Sequence, residues 1–278
     1  MGNPGVRQRA LAKHCAVSAV DLATRDKIPV IAGLLRPDGE GLALDIGIGT
    51  GYTTYAVFGD RPTACLDLHA PNLLYYRDVV ASSGQCAVPL CAAGRATQLP
   101  FRDGAFQFVL CSEVLEHLED DAAAVREMAR ILAEGGQGVI TVPYTGLGFT
   151  SFLELLKIKT VHDVPGPEYH VRPGYDERSL GQLLVAHGLE VERVTFYFRL
   201  FTRFAADVVS LAHLLYQRVI HRRSAWTWSE VVTAEGGVAF RLYRLVFPLV
   251  WTFCRLDRLL GRSRGFGLVV LFRKCAAS

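Results

Sequence analysis

The stretch Leu44-Asp45-Ile46-Gly47-Ile48-Gly49-Thr50-Gly51 decides the fold. It follows Gly41-Leu42-Ala43-Leu44, a short apolar run that reads as a buried strand over about 42–46. It precedes residues 52–58, which read as a helix. The order is therefore strand, glycine turn, helix start. Glycine lets the backbone turn sharply and approach a ligand closely. The first turn of a helix adds N–H groups with no intrahelical partner. The spacing excludes two familiar ligand loops. A dinucleotide fingerprint needs glycine at position 52, where Tyr52 stands, and a P-loop needs a Gly-Lys-Ser/Thr ending, which is absent. A tight turn without a ligand stays open at this point.

The segments that follow narrow the choice. Thr63-Ala64-Cys65-Leu66-Asp67 reads as a second short strand ending in an acid, placed to accept from ribose hydroxyls as in other nucleotide-binding α/β folds. Then come the block running from Leu99-Pro100-Phe101 through Asp103 to Phe106-Gln107-Phe108, the block Cys111-Ser112-Glu113-Val114-Leu115-Glu116-His117, and the block Arg130-Ile131-Leu132-Ala133-Glu134-Gly135-Gly136. Together with Asp45-x-Gly47-x-Gly49-x-Gly51, these resemble, in order, the motifs of the class I S-adenosylmethionine (SAM) methyltransferases, in particular the families that include ubiquinone and menaquinone biosynthesis enzymes. The resemblance continues through Tyr169-His170-Val171-Arg172 and Tyr175 to about residue 190.

The resemblance implies an α/β fold with a Rossmann-like seven-stranded sheet and SAM as cofactor. It implies cofactor contacts from Asp45, Gly47, Gly49, Gly51, Asp67, Leu68, Arg95, Ala96, Ser112 and Glu113. Two positions depart from the family pattern. Arg95 stands where relatives carry an acid that meets the adenine amino group, and a guanidinium only donates. The expectation is that Arg95 points away and the Ala96 N–H meets the ring. Gln107 replaces the usual Asp.

Alternating strand and helix patterns support a parallel sheet with helices on both faces. Expected elements are a helix at 71–82, strands near 87–92, 106–111 and 138–142, a helix at 119–132, a helix at 176–186 capped by Asp176 or Ser179, and a strand at 189–197. Residues 7–35 suggest N-terminal helices that cover the cofactor. Residues 144–175, rich in Gly, Pro and His, suggest a lid over it. The organisation read from this is a SAM-binding core over 1–197, a helical insertion over 198–264, and the last strand of the core in 265–278.

The insertion is basic and apolar. From residue 196 onward there are thirteen Lys and Arg against four Asp and Glu, a local balance of +9 in a chain of net charge +3. Arg241, Arg244, Arg255 and Arg258 interleave with Leu242, Leu245, Phe247, Leu249, Trp251 and Phe253. Such a segment reads either as helices packed over the active site or as a surface for anionic membranes. Nucleic acid is not expected as a partner. The four residues after the fourth strand, Cys111-Ser112-Glu113-Val114, lack the Asn/Asp-Pro-Pro-Tyr/Phe pattern of amino-methylating DNA and RNA enzymes.

Half the residues are hydrophobic, enough for a full core. The seven cysteines show neither Cys-x-x-Cys nor zinc-like spacing, so the sequence raises no expectation of a metal and favours free thiols in a reducing cytoplasm. No secretory signal, myristoylation pattern or membrane-spanning run is expected, leaving a cytoplasmic protein that docks peripherally on the inner face of the membrane. Methyl transfer to a hydroxyl or an acidic carbon needs a base, and imidazole titrates near neutral pH. The catalytic candidates are His170, His117 and Tyr144, with His162 as a further imidazole in the lid. The function expected is methyl transfer to a small-molecule or lipid-linked acceptor, oxygen slightly favoured over carbon. An inactive accessory protein of the same fold, or an RNA-binding methyltransferase, are the alternatives.

Overall fold

The computed structural model describes residues 20–35, 40–59, 61–83, 89–149, 151–158, 170–216 and 238–275. Seven strands, β1 (Ala43–Ile46), β2 (Thr63–Asp67), β3 (Leu90–Ala93), β4 (Phe106–Ser112), β5 (Leu132–Pro143), β6 (Leu189–Tyr197) and β7 (Gly267–Lys274), form one sheet in the order β3-β2-β1-β4-β5-β7-β6. The first five are parallel and β7 runs against both neighbours. The described helices are α1 (Leu22–Leu35), α2 (Tyr52–Phe58), α3 (Ala70–Ser83), α4 (Asp121–Ile131), α5 (Phe152–Leu155), α6 (Glu177–Val185), α7 (Leu200–Tyr216) and α8 (Val238–Cys254).

The strand pleat sends alternate residues to two cores. Leu44 and Ile46 join Val125, Met128 and Ile131 of α4 and Leu180 and Leu184 of α6 on one face. Ala43, Leu110, Val139 and Leu271 meet Ile31 and Leu35 of α1 and Val57 and Phe58 of α2 on the other. Local signals set the helix starts. Asp120 caps α4 by accepting the Ala123 N–H at 2.8 Å. Asp176 caps α6 in a reciprocal box with Ser179, which resolves the choice between the two.

β2 and α2 match the sequence reading, while some boundaries move. β5 begins at Leu132 and passes through Gly135-Gly136, and β3 starts at Leu90, with residues 84–88 outside the described set. The N-terminal part of the expected helices, residues 1–19, then residues 150 and 159–169 of the expected lid, His162 among them, and residues 217–237 of the insertion also lie outside it.

The insertion falls between β6 and β7, and it is continuous with the body of the protein. Ala205 of α7 and Phe247 and Cys254 of α8 belong to the same core as Val269, Leu271 and Ile31. Two polar ties fasten it to the body, and a third joins its two described parts to each other. Asp26 of α1 accepts the Phe198 N–H at 2.6 Å, and the Tyr243 hydroxyl donates to Val20 O at 2.8 Å. Asp257, in a 3-10 helix over Arg255–Leu260, accepts from Phe201 N (2.8 Å), Thr202 N (2.9 Å) and Thr202 Oγ1 (2.6 Å) at the start of α7. Asp257 and Thr202 are both buried. Asp257→Ala leaves these donors unpaired, at about 1–3 kcal/mol for each buried one. The expected result is a fall in melting temperature of roughly 5–10 °C, and an unchanged melt would show that this cap does not hold the two parts of the insertion together.

Candidate functional site

The parallel strands all deliver their carboxyl ends to one edge, and β1 and β4 lie side by side where the direction of winding reverses. The glycine turn leaves β1 there. Gly47, Gly49 and Gly51 have φ of 75°, 54° and 76°, all left-handed. A Cβ on Gly47 would stand 2.4 Å from Val114 Cγ2, and one on Gly51 2.1 Å from the Tyr76 ring, so these two are required by packing. Gly49 differs, because a Cβ there would meet nothing within 4 Å. Its backbone is bare on the side a ligand would approach.

Asp67, at the end of β2, is buried and holds this turn. Its Oδ2 accepts Gly49 N at 2.9 Å and Asn72 Nδ2 at 3.3 Å, and its Oδ1 accepts His69 N at 2.7 Å. The carboxylate thus spends most of its lone pairs on the loop and keeps capacity mainly on Oδ1. Asp45 is buried beneath the turn, its Oδ2 bonded to the Thr54 hydroxyl and its Oδ1 without a partner among the described residues. Burial pushes the Asp45 carboxyl up to about 7, against the lowering effect of Thr54 and Lys27. Leu68 beside Asp67 is exposed, an apolar face open to a flat ring. On the turn after β3, Ala96 is buried and Arg95 is exposed, as the sequence reading expects, with Arg95 O accepting Gln98 N at 3.1 Å. The bare Gly49, the orphaned Asp45 oxygen and the spare capacity of Asp67 fit SAM: an ammonium and carboxylate at one end, a ribose diol at the other.

At the ends of β4, β5 and β6 a polar node joins four elements. The Glu113 Oε1 accepts from Thr141 Oγ1 (2.6 Å) and Tyr197 OH (2.7 Å), and the Thr141 and Ser112 hydroxyls are 3.0 Å apart. Lys27 of α1, itself buried, donates to Ser112 Oγ at 2.9 Å and lies 3.9 Å from Glu113. Glu113 has φ of 57°, a left-handed conformation that costs a non-glycine residue about 1–3 kcal/mol and collects at functional sites. Ser112 and Glu113 are where the sequence placed them. Lys27, Thr141 and Tyr197 are not among its candidates.

A second cluster follows. Leu115–His117 forms one 3-10 turn, and the segment 170–175 is fastened against it. Val171 N donates to Glu116 O at 2.9 Å, and Arg172 donates to Leu118 O at 2.6 Å and pairs with Asp121. The Tyr175 hydroxyl also donates to Asp121, at 2.6 Å. These bonds bring His170 to His117, with ring centroids 4.7 Å apart and planes 80° apart. Glu116 beside them is wholly buried, and burial, with Glu113 second, holds its carboxyl well above the usual range.

Tyr144, the third catalytic candidate, has a bracing role in this structure. Its ring is wholly buried against Phe196, and its hydroxyl donates to Glu177 Oε2 at 2.8 Å. Burial, with Glu177 second, raises the phenol to about 12. It braces α6, and its hydroxyl proton is committed to Glu177.

Comparison with known proteins agrees with this geometry. Residues 44–140 match the family described as a methyltransferase domain. The chain is 30% identical over 99 residues to ajmaline N-methyltransferase of Rauvolfia serpentina, covering 35% of this chain and 34% of that one. It is 43% identical over 67 residues to demethylmenaquinone methyltransferase of Mycolicibacterium gilvum, covering 23% and 29%. The matched segments thus span about a third of these relatives. Among solved structures, the [4+2]-cyclase SpnF superposes with a TM-score of 0.57 at 18% identity, over 90% of this chain and 81% of that one. Geranyl diphosphate methyltransferase in complex with GPP and sinefungin gives 0.54 at 13%, over 89% and 76%. The fold is the Rossmann-like fold of class I methyltransferases. Within that fold, residues 44–140 are the stretch similar to a methyltransferase domain.

Two measurements check the site. Between about pH 4 and 7 the unfolded chain has lost the Asp45 proton that the folded chain keeps, so this group makes stability fall as pH rises through that window. Asp45→Asn should therefore gain melting temperature relative to the parent between pH 5 and pH 8, and a constant difference would contradict the raised carboxyl. Gly49→Val fills the bare side of the turn and should abolish SAM binding in calorimetry with the fold retained. Asp67→Ala should weaken binding by about 10–150-fold, taking ~1.5–3 kcal/mol for charged hydrogen bonds. Parent-like affinity in both variants would place the cofactor elsewhere.

Proposed function

We propose that the protein transfers the methyl group of SAM to a hydroxyl oxygen of a lipid-linked acceptor at an anionic membrane surface. Bound SAM supplies a sulfonium-activated methyl group. The chain's work is to hold the acceptor in line with it, an orientation effect worth up to about 7–11 kcal/mol. Lys27, Ser112, Glu113 and Thr141 form a rigid polar floor at the strand ends, and His117 and His170 flank it on the side of the 3-10 turn. Two imidazoles beside a buried carboxylate suit an acceptor that must lose a hydroxyl proton, which favours oxygen over carbon.

The acceptor class rests on one observation, the apolar surface of the insertion. The side of α8 turned from the core exposes Leu245 and Leu249 to 76% and 75%, and the 3-10 helix after it exposes Leu259 to 80%. Leu242, Val246 and Leu256 are exposed with them, and exposed Arg241, Arg244, Arg255 and Arg258 stand between. Next to this face lies an open groove of about 530 Å³ lined by Phe152, Leu155, Leu156, Leu200, Phe201, Phe204 and Phe253. An apolar face with a basic fringe matches the interior and headgroups of an anionic leaflet. Exposed leucines, which offer no stacking surface to a base, favour lipid over single-stranded RNA. No described helix is long and apolar enough to cross a membrane, so the contact is peripheral for these segments.

Each arginine near an anionic surface contributes about 1 kcal/mol. Flotation should carry the protein with anionic but not neutral vesicles, and about 0.5 M salt should release it. Replacing the four arginines by Gln, or Leu245 and Leu249 by Gln, should abolish flotation and leave SAM affinity unchanged. Labelled SAM incubated with a membrane lipid extract should put label in the organic phase. A parent protein that stays with the aqueous fraction at low salt, and labels no lipid, would direct the search to water-soluble acceptors.

A further inference from the structure

Glu116 stands out among the buried groups. Neither of its carboxylate oxygens has a hydrogen-bond partner among the described residues, and its side chain is fully buried. A buried carboxylate is ordinarily paired, hydrogen-bonded or bound to a metal. The nearby cations are committed elsewhere. Lys27 donates to Ser112, and Arg172 serves Asp121 and the carbonyls of Leu118 and Glu119. What does face Glu116 is a pair of imidazoles. His117 Nε2 is 4.0 Å from Glu116 Oε1, and His170 stands edge-on to His117. One possible ligand atom from each of the three residues lies within 4.8 Å of the other two.

The backbone makes this arrangement specific. Glu116 O accepts the N–H of Val171 and of Arg172, so the peptide carrying His170 is stitched to the residue whose carboxylate it approaches. Two ligands come from consecutive positions of one 3-10 turn and the third from a segment 53 positions later in the chain. That separation hides the trio from any reading of sequence spacing.

We propose that Glu116, His117 and His170 form a binding site for a divalent transition-metal ion. Two imidazoles and one carboxylate suit Zn²⁺, Fe²⁺ or Mn²⁺, and three protein ligands leave positions open for an outside oxygen. Bonds of about 2.1 Å at near-tetrahedral angles put ligand atoms about 3.4 Å apart, so side-chain rotations that bring these atoms closer by about an ångström close the trio on an ion. Its role rests on the methyl-transfer reading. An acceptor hydroxyl occupying an open position would be acidified by the cation and lose its proton to solvent; its oxygen would then use the freed electron pair to bond the methyl carbon as the carbon–sulfur bond of SAM breaks, the electron pair of that bond staying on sulfur in the departing S-adenosylhomocysteine. The metal would then set which acceptors are used, favouring those with a hydroxyl able to reach it.

The test uses the full chain, freed of metal with a chelator, without SAM or acceptor. Titration with Co²⁺ followed by visible absorption should saturate at one ion per chain, and Zn²⁺ should displace it. His117→Ala and His170→Ala should each weaken Co²⁺ binding by about 100-fold or more, since even outer-shell changes cost 10–100-fold. Both histidines are only half-buried, so these variants should keep the fold. Glu116→Gln should weaken binding likewise, with its fold checked by thermal melting. Absence of stoichiometric Co²⁺ binding, or binding that survives His170→Ala unchanged, overturns the site. SAM calorimetry on the same preparation separates the two readings. SAM binding without Co²⁺ binding refutes the metal site alone, and Co²⁺ binding at the trio without SAM binding upholds it while refuting methyl transfer.

Discussion

The parallel pairing of β1 with both β2 and β4 is the constraint on which the site depends. It brings the glycine turn, Asp67 and Ser112-Glu113 to one edge of the sheet without any side chain arranging the meeting. Once β1 is central and its four residues are buried, the chain has to leave it through a turn squeezed between Val114 and Tyr76. Only glycine fits those two contacts. The bare middle position, Gly49, is then a by-product of a turn whose flanks are closed by packing, and Asp67 fixes that turn from the neighbouring strand.

A second consequence of the sheet concerns charge. Strand ends are poor places to bury ionic groups, yet Asp45, Glu116 and Lys27 are all buried near them. The three differ in how they are satisfied. Lys27 has a hydroxyl acceptor and a nearby carboxylate, Asp45 has one bonded oxygen and one bare, and Glu116 has none. This gradient marks where the protein has left electrostatic work to ligands, since a buried polar group with no internal partner is costly to keep.

Much of this was legible in the sequence, and the unread part has a common physical cause. β2, α2 and the Asp176 cap could be read because strand alternation, helix periodicity and capping act within a few residues. The glycine turn, Asp67, Ser112 and Glu113 were readable because they sit at fixed offsets from strand ends. Lys27 was not, because a lysine on an apolar helix gives no sign that it will meet Ser112, 85 positions away. The bond of Tyr144 to Glu177 was hidden for the same reason, since its partner is 33 residues on. His170 and His117 were both noticed as imidazoles, but the orphaned carboxylate beside them is visible only in three dimensions.

α1 is the element shared by the two halves of the protein. Arg25 stacks over Phe247 and Trp251 of α8, Asp26 holds the Phe198 N–H before α7, and Lys27 reaches the strand ends. Three consecutive residues therefore touch both the insertion and the polar floor. Whatever orders α8 also fixes the position of the Lys27 ammonium, and whatever engages Ser112 and Glu113 also steadies the helix on which α8 rests. α1 thus gives the outer face and the strand ends one shared support, and a ligand at either place that shifts this helix acts on the other with equal strength in both directions.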